Sequence, residues 1–196
     1  MQKINILFFN QHISKSKVRK ILSDKYNLFA INFIEEFRKQ LMEKEENELS
    51  IRIKSFMDNG ELVPNYLLEE LLKTLFKESQ NQDILLTEFP KTIEQFLMLK
   101  KILNDLNLEI QTIWYIKQKN AEEYMDMHFK NPNEKLWLDK YGDEVIEKWK
   151  QEFEKKQIFI TEMQNITDSK MWKVVEMDCE TELDEELLIK KINDCA

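Results

Sequence analysis

Lys3 to Leu22 reads KINILFFNQHISKSKVRKIL. Ile4, Ile6, Leu7, Phe8 and Phe9 form a short apolar run, the pattern of a strand buried on both faces of a parallel sheet. Val18, Ile21 and Leu22 then recur at helical spacing, so the stretch predicts strand, loop and helix in that order. A helix that opens after such a loop aims its first backbone N–H groups outward, where they can hold an anion. Lys15 stands near that opening. No glycine occurs anywhere in the stretch, which argues against close approach of a phosphate to this backbone.

Beyond this stretch, Asn27 to Phe33 (NLFAINF) predicts a second strand. Phe33, Ile34, Phe37 and Leu41 share one helical face, and the charged run Glu43 to Glu48 marks a turn between helices. Leu49, Ile53, Phe56 and Met57 begin another apolar face, closed by Asn59-Gly60 as a left-handed cap. Pro64 opens the next helix, whose Leu67, Leu68, Leu71, Leu72, Leu75 and Phe76 form the strongest stripe of the chain. Ile84 to Phe89 (ILLTEF) predicts a third strand, stopped by Pro90. A helix from Lys91 or Thr92 carries Ile93, Phe96, Leu97, Leu103 and Leu106 on its apolar face. Ile110 to Ile116 (IQTIWYI) is the fourth strand, followed by a helix over about Asn120 to Phe129 and a loop at Asn131-Pro132-Asn133. Val145, Ile146, Trp149 and Phe153 stripe a further helix. Lys173 to Asp178 (KVVEMD) is the fifth strand, and Leu183 to Ile192 closes the chain as a helix with Asp184, Glu185 and Glu186 near its positive end.

Five short strands separated by helices imply an α/β fold with a five-stranded parallel sheet. The second connection is too long for one helix. Three helical segments between Phe33 and Ser79 suggest a small helical subdomain hung on the sheet.

The 196 residues fit one domain with a substantial core, at 42% hydrophobic and 34% charged. A formal charge of −8 disfavours nucleic acid and anionic membrane as partners. Two cysteines, Cys179 and Cys195, are too few for a disulfide framework and suit a reducing compartment. The five-residue apolar run near the start is too short for a signal-peptide core, and no stretch is long enough to span a bilayer, so a soluble cytoplasmic protein is expected. His12 and His128 have no partner at metal-ligand spacing, so no metal site is expected. Arg19, Arg38 and Arg52 are the only arginines.

Met57 to Lys73 (MDNGELVPNYLLEELLK) followed by Ile84 to Phe96 (ILLTEFPKTIEQF) resembles the adenylate kinase, or nucleoside monophosphate kinase, family. The resemblance runs from about Ile4 to Phe129 and continues more weakly through Tyr141 to Lys156 and Lys173 to Ile192. It implies a P-loop NTPase-like three-layer fold over residues 1–196, a helical monophosphate-binding-like subdomain at about 32–63 and a reduced lid at about 128–138. The family's phosphate loop falls on Phe9 to Lys17, with Phe9, His12, Ser14 and Ser16 in place of its glycines and only Lys15 retained. Its Ser-Thr-Gly-Asp falls on Asn32, Phe33, Ile34 and Glu35, and the arginine that grips the monophosphate on Arg38. In its Asp-Gly-Phe-Pro-Arg, Thr87 replaces the aspartate that orders magnesium, Glu88 the glycine and Lys91 the arginine, while Gln95 is kept.

Lys15, Arg38, Lys91 and Gln95 are thus the residues of a vestigial nucleotide site, and no catalytic residue is assigned. Each also has a plainer reading. Lys15 belongs to a solvated basic turn, Arg38 to an ion pair with Glu35 or Glu36, and Gln95 to a solvated helix surface. Trp137 and Trp172 lie in the segments least like the family and are candidates either for a partner interface or for the core. The expected function is that of a catalytically inactive module within an assembly of other proteins, without cofactor, nucleic acid or membrane. The family's folds recur in ciliary proteins, so the resemblance permits an axonemal setting. Two alternatives stand beside it: a weak kinase using ATP, AMP and magnesium, or a module that binds nucleotide without transfer.

Overall fold

The apolar run after Gln2 begins the sheet. In the computed structural model, which describes residues 2–9, 15–43, 48–59, 61, 63–79, 82–118, 143–178 and 184–195, it forms β1 (Lys3–Phe9). There follow α1 (Lys15–Tyr26), β2 (Phe29–Asn32), α2 (Phe33–Glu43), α3 (Glu48–Asp58), α4 (Asn65–Glu78), β3 (Ile84–Thr87) and α5 (Ile93–Asp105). The remainder comprises β4 (Glu109–Gln118), α6 (Asp143–Ile166), a 3-10 turn (Ser169–Met171), β5 (Trp172–Met177) and α7 (Glu185–Asp194). The five strands form one sheet in the order β2-β3-β1-β4-β5. The pairs β1 with β3, β2 with β3, and β4 with β5 are parallel, each needing the kind of crossover that helices supply. This is the α/β sheet architecture that the alternation of runs and stripes predicts. The chain divides into two compact units, one of Met1–Leu7 with Leu22–Thr112, the other of Phe8–Ile21 with Ile113–Ala196.

The first unit is built on β3. Ile84 sits opposite both Ile4 and Phe29, and Thr87 opposite both Leu7 and Asn32. A strand flanked on both sides and covered on both faces must be apolar throughout, and Ile84, Leu85 and Leu86 are fully buried. Helix α4 buries the six residues of its predicted stripe, and α3 buries Leu49 and Ile53. On α5 the buried residues are Phe96, Leu99, Ile102 and Leu103. Leu97, expected on that face, is 53% exposed. One residue past Phe96 is about 100° further round the helix, which turns it away from the stripe.

Several boundaries differ from expectation. The second strand starts at Phe29, because Asn27 has φ 52° and the Leu28 N–H donates to the Ser23 carbonyl at 3.0 Å, a left-handed end to α1. The third strand stops at Thr87, because Glu88 has φ 63° and cannot continue it. The fourth strand is longer, reaching Gln118, and α6 runs well past Phe153. The last helix begins at Glu185 with Asp184 as its cap, the carboxylate accepting from the N–H groups of Glu186 and Leu187. Gly60, His12, Cys179, the helix over about 120–129, the lid at about 128–138 and Trp137 lie outside the described residues.

In the second unit β4 and β5 pair from Ile113 with Trp172 to Gln118 with Met177. Phe8 meets the Phe159 ring edge-on at 5.6 Å and stacks on Trp172 at 6.4 Å, and Tyr115 meets Trp172 edge-on at 6.5 Å. The Trp172 Nε1–H donates to Thr167 Oγ1 at 2.8 Å. Trp172 is therefore a half-buried member of an aromatic cluster, with its one polar atom satisfied. Helix α7 packs on β5 through buried Leu188 and Ile192, and Lys191 Nζ donates to the Glu176 carbonyl at 3.0 Å. Such side-chain cover blunts an edge strand against unwanted pairing.

Tyr115 carries a pH dependence. Burial raises its pKa above the usual phenol value, and the hydrogen bond that Gln157 Nε2 donates to its hydroxyl at 2.9 Å opposes only part of that. The folded state holds this proton more tightly than the unfolded chain. Its stabilisation is therefore fully present below the unfolded value of about 10 and lost as pH rises through the folded value. Urea unfolding of the wild type is expected to weaken from about pH 10 upward, with Tyr115→Phe showing a shallower fall. Equal slopes in the two proteins would assign the alkaline loss to other groups.

Candidate functional site

Ligands of open α/β sheets bind outside the carboxyl ends of the strands. In the first unit that edge is formed by Asn32, where β2 ends, and Thr87, where β3 ends. Asn32 caps α2: its Oδ1 accepts from the Glu35 N–H at 3.4 Å and its Nδ2 donates to Glu35 Oε1 at 2.7 Å. Two of the edge's polar groups are thereby turned on each other. Phe33, the first residue of α2, is buried, and its ring lies 4.7 Å from that of Phe89 and 6.2 Å from that of Phe37. An aromatic pair thus fills the space between the start of α2 and the loop after β3.

Thr87 is buried, and its hydroxyl donates to the Ile31 carbonyl of the neighbouring strand at 3.4 Å. Glu88 follows in left-handed geometry, which costs a residue bearing a Cβ about 1–2 kcal/mol. Its carboxylate lies 3.9 Å from the Lys91 ammonium. The Lys91 N–H donates to Gln95 Oε1 at 2.8 Å, while the Gln95 N–H donates to Thr92 Oγ1 at 3.2 Å. Thr92 is thus the N-cap of α5, and the Gln95 side chain reaches one residue further back, to Lys91. Glu94, in the same first turn, has its carboxyl held below the usual range, first by a hydrogen bond from its own backbone N–H and then by the Thr92 hydroxyl.

The residues singled out in the sequence fall as follows. Lys91 and Gln95 are brought together, the Lys91 N–H donating to Gln95 Oε1. Arg38 is exposed on α2, where Glu36 pairs with Lys39 at 2.7 Å. Lys15 belongs to the second unit, where its ammonium lies 5.9 Å from the centre of the buried Phe9 ring. Trp172 is placed by the aromatic cluster described above.

Sequence reasoning missed one clasp in this unit. Arg52 Nη1 of α3 donates to Glu70 Oε2 of α4 at 3.1 Å, and its guanidinium lies 5.5 Å from the centre of the Tyr66 ring. Tyr66 and then Glu70 raise the Arg52 pKa, holding the α3 side chain against α4. No periodicity links residues 18 positions apart on two helices. Among the described residues no group of three His, Cys, Asp or Glu side chains could hold a metal ion. After the end of β3 stand the Glu88–Lys91 ion pair and the Phe33–Phe89 ring pair, while Arg38 is exposed on α2.

Comparison with known proteins finds similarity to adenylate kinases. The chain is 37% identical over 91 residues to the adenylate kinase of Listeria monocytogenes serotype 4a, covering 46% of this chain and 41% of that protein. Over the matched stretch the chain is similar to adenylate kinases. The adenylate kinase of Clostridium novyi is 34% identical over 99 residues, covering 50% of this chain and 45% of its own length. That of Methanocella arvoryzae is 32% identical over 118 residues, covering 60% and 54% respectively. The matches to these adenylate kinases thus span about half the length of the curated relatives. No protein-family model matches the chain, and no described helix is long and apolar enough to cross a membrane.

Proposed function

We propose that this chain is an adenylate-kinase-like module that has lost efficient phosphoryl transfer and acts as a structural or interaction unit in an assembly of other proteins. The end of β3 carries the reading. Where the resemblance implies an aspartate that orders magnesium, Thr87 turns its hydroxyl into the sheet, and where it implies a glycine, Glu88 presents a carboxylate to Lys91. Phosphoryl transfer depends on cations gathered around a dianionic group, and a fixed carboxylate there works against it. Buried Phe9, at the end of β1, stands where the resemblance implies the first loop glycine. The reading takes no magnesium and no nucleic acid. An axoneme is one assembly among those it admits, and no described residue singles it out.

A second reading, nucleotide held without transfer, draws on exposed Arg38 and Lys91. Thermal unfolding separates the two. A ligand at one hundred times its dissociation constant adds about 2.7 kcal/mol, which moves a melting midpoint by several degrees. No shift is expected with millimolar ATP, AMP and magnesium, or with two adenosines joined by five phosphates. A shift with AMP alone would favour the second reading. A shift with the two-headed ligand would overturn the first.

A further inference from the structure

Three non-glycine residues among those described have positive φ: Asn27 at 52°, Asn107 at 55° and Glu88 at 63°. Asparagine is a common occupant of the left-handed region, and Asn27 and Asn107 follow the ends of α1 and α5, where such a residue closes a helix. Glu88 fits neither account. It ends a buried strand at the carboxyl edge of the sheet, and glutamate has no local turn chemistry that favours this backbone. Its surroundings give it a different use. The side chain is 20% exposed and reaches Lys91 at 3.9 Å, while the Lys91 side chain is 57% exposed. Gln95 fixes the Lys91 backbone through its N–H, so the lysine's root is anchored and its ammonium alone can change partner.

We propose that Glu88 is a built-in anion: its carboxylate stands at the edge of β3 as a tethered substitute for a ligand's negative charge and keeps Lys91 from taking a phosphate group from solution. This deepens the functional reading above and rests on it. A tethered carboxylate competes at a high effective concentration, whereas a free phosphate must bring its charge beside a like charge.

The test titrates the full chain with AMP and with inorganic phosphate by calorimetry, for the wild type, Glu88→Gln, Glu88→Gly and the double variant Glu88→Gln with Lys91→Ala. Glu88→Gln keeps the left-handed side chain and removes only the charge; Glu88→Gly removes both the charge and the strain. Both single variants are expected to bind AMP about tenfold or more tightly than the wild type, a difference of about 1.4 kcal/mol, with the double variant returning to wild-type behaviour. Tighter binding of inorganic phosphate by the same factor would place the gain on the phosphate rather than on the base. Single variants that bind AMP no better than wild type, with melting curves showing them folded, would overturn the proposal. So would tighter binding that survives Lys91→Ala. Wild-type turnover of ATP and AMP would instead overturn the functional reading, and it is measured separately.

Discussion

In a coupled assay with ATP, AMP and magnesium, turnover is expected to fall at least about 10³-fold below that of an adenylate kinase run beside it. A single positioned arginine contributes roughly 10³–10⁵ to such a rate. This chain has no arginine after Arg52, and Arg52 itself is engaged with Tyr66 and Glu70. Lysine cannot replace the lost groups in kind, being a point charge without the two-pronged guanidinium that grips two phosphate oxygens at once. Lys15→Ala provides the control. Residual turnover that this change leaves intact comes from a contaminating kinase. Turnover near that of the comparison enzyme, and abolished by Lys15→Ala, would show that the chain is a kinase and end the proposal.

Truncation of Phe89 to alanine is expected to destabilise the protein by about 3–5 kcal/mol. Phe89 is 2% exposed and its ring packs on Phe33 at 4.7 Å, so its loss opens a cavity at the root of the loop after β3. In a chain of this length the melting midpoint should fall by about 10 °C. Leu97→Ala, by contrast, should change stability by about 0.5 kcal/mol or less, because its side chain lies largely in water. Equal losses from the two changes, read by urea unfolding, would mean that the buried stripe of α5 is not the one described. A small loss at Phe89 alone would mean that the loop can collapse into the space.

Much of the frame was legible because it depends on periodicity. Ile84 to Leu86 announces a strand covered on both faces, and the leucines of α4 announce a helix with one buried side. Boundaries were less legible where one backbone angle sets them. Nothing in NLFAINF distinguishes Asn27 as a helix end from Asn27 as a strand start until its φ of 52° is known. The candidate site was legible as a set of substitutions, Thr87, Glu88 and Lys91 in particular, but not as an arrangement. Gln95 reads as a solvated glutamine or a base contact; the structure adds that its Oε1 accepts from the Lys91 N–H and its own N–H donates to Thr92 Oγ1, which no spacing rule shows.

By itself the sequence determined the alternation of strands and helices, the helical insertion between Phe33 and Ser79, and the charges available to any site. These follow from side-chain chemistry and spacing along one chain. Only the tertiary structure decided where those charges point. The meeting of Glu88 with Lys91, of Arg52 with Tyr66 and Glu70, and of Trp172 with Phe8 and Tyr115 requires a backbone angle or a crossing of elements. No spacing rule encodes such meetings, because they arise when separate elements are packed to exclude water and each polar group must then find its partner nearby.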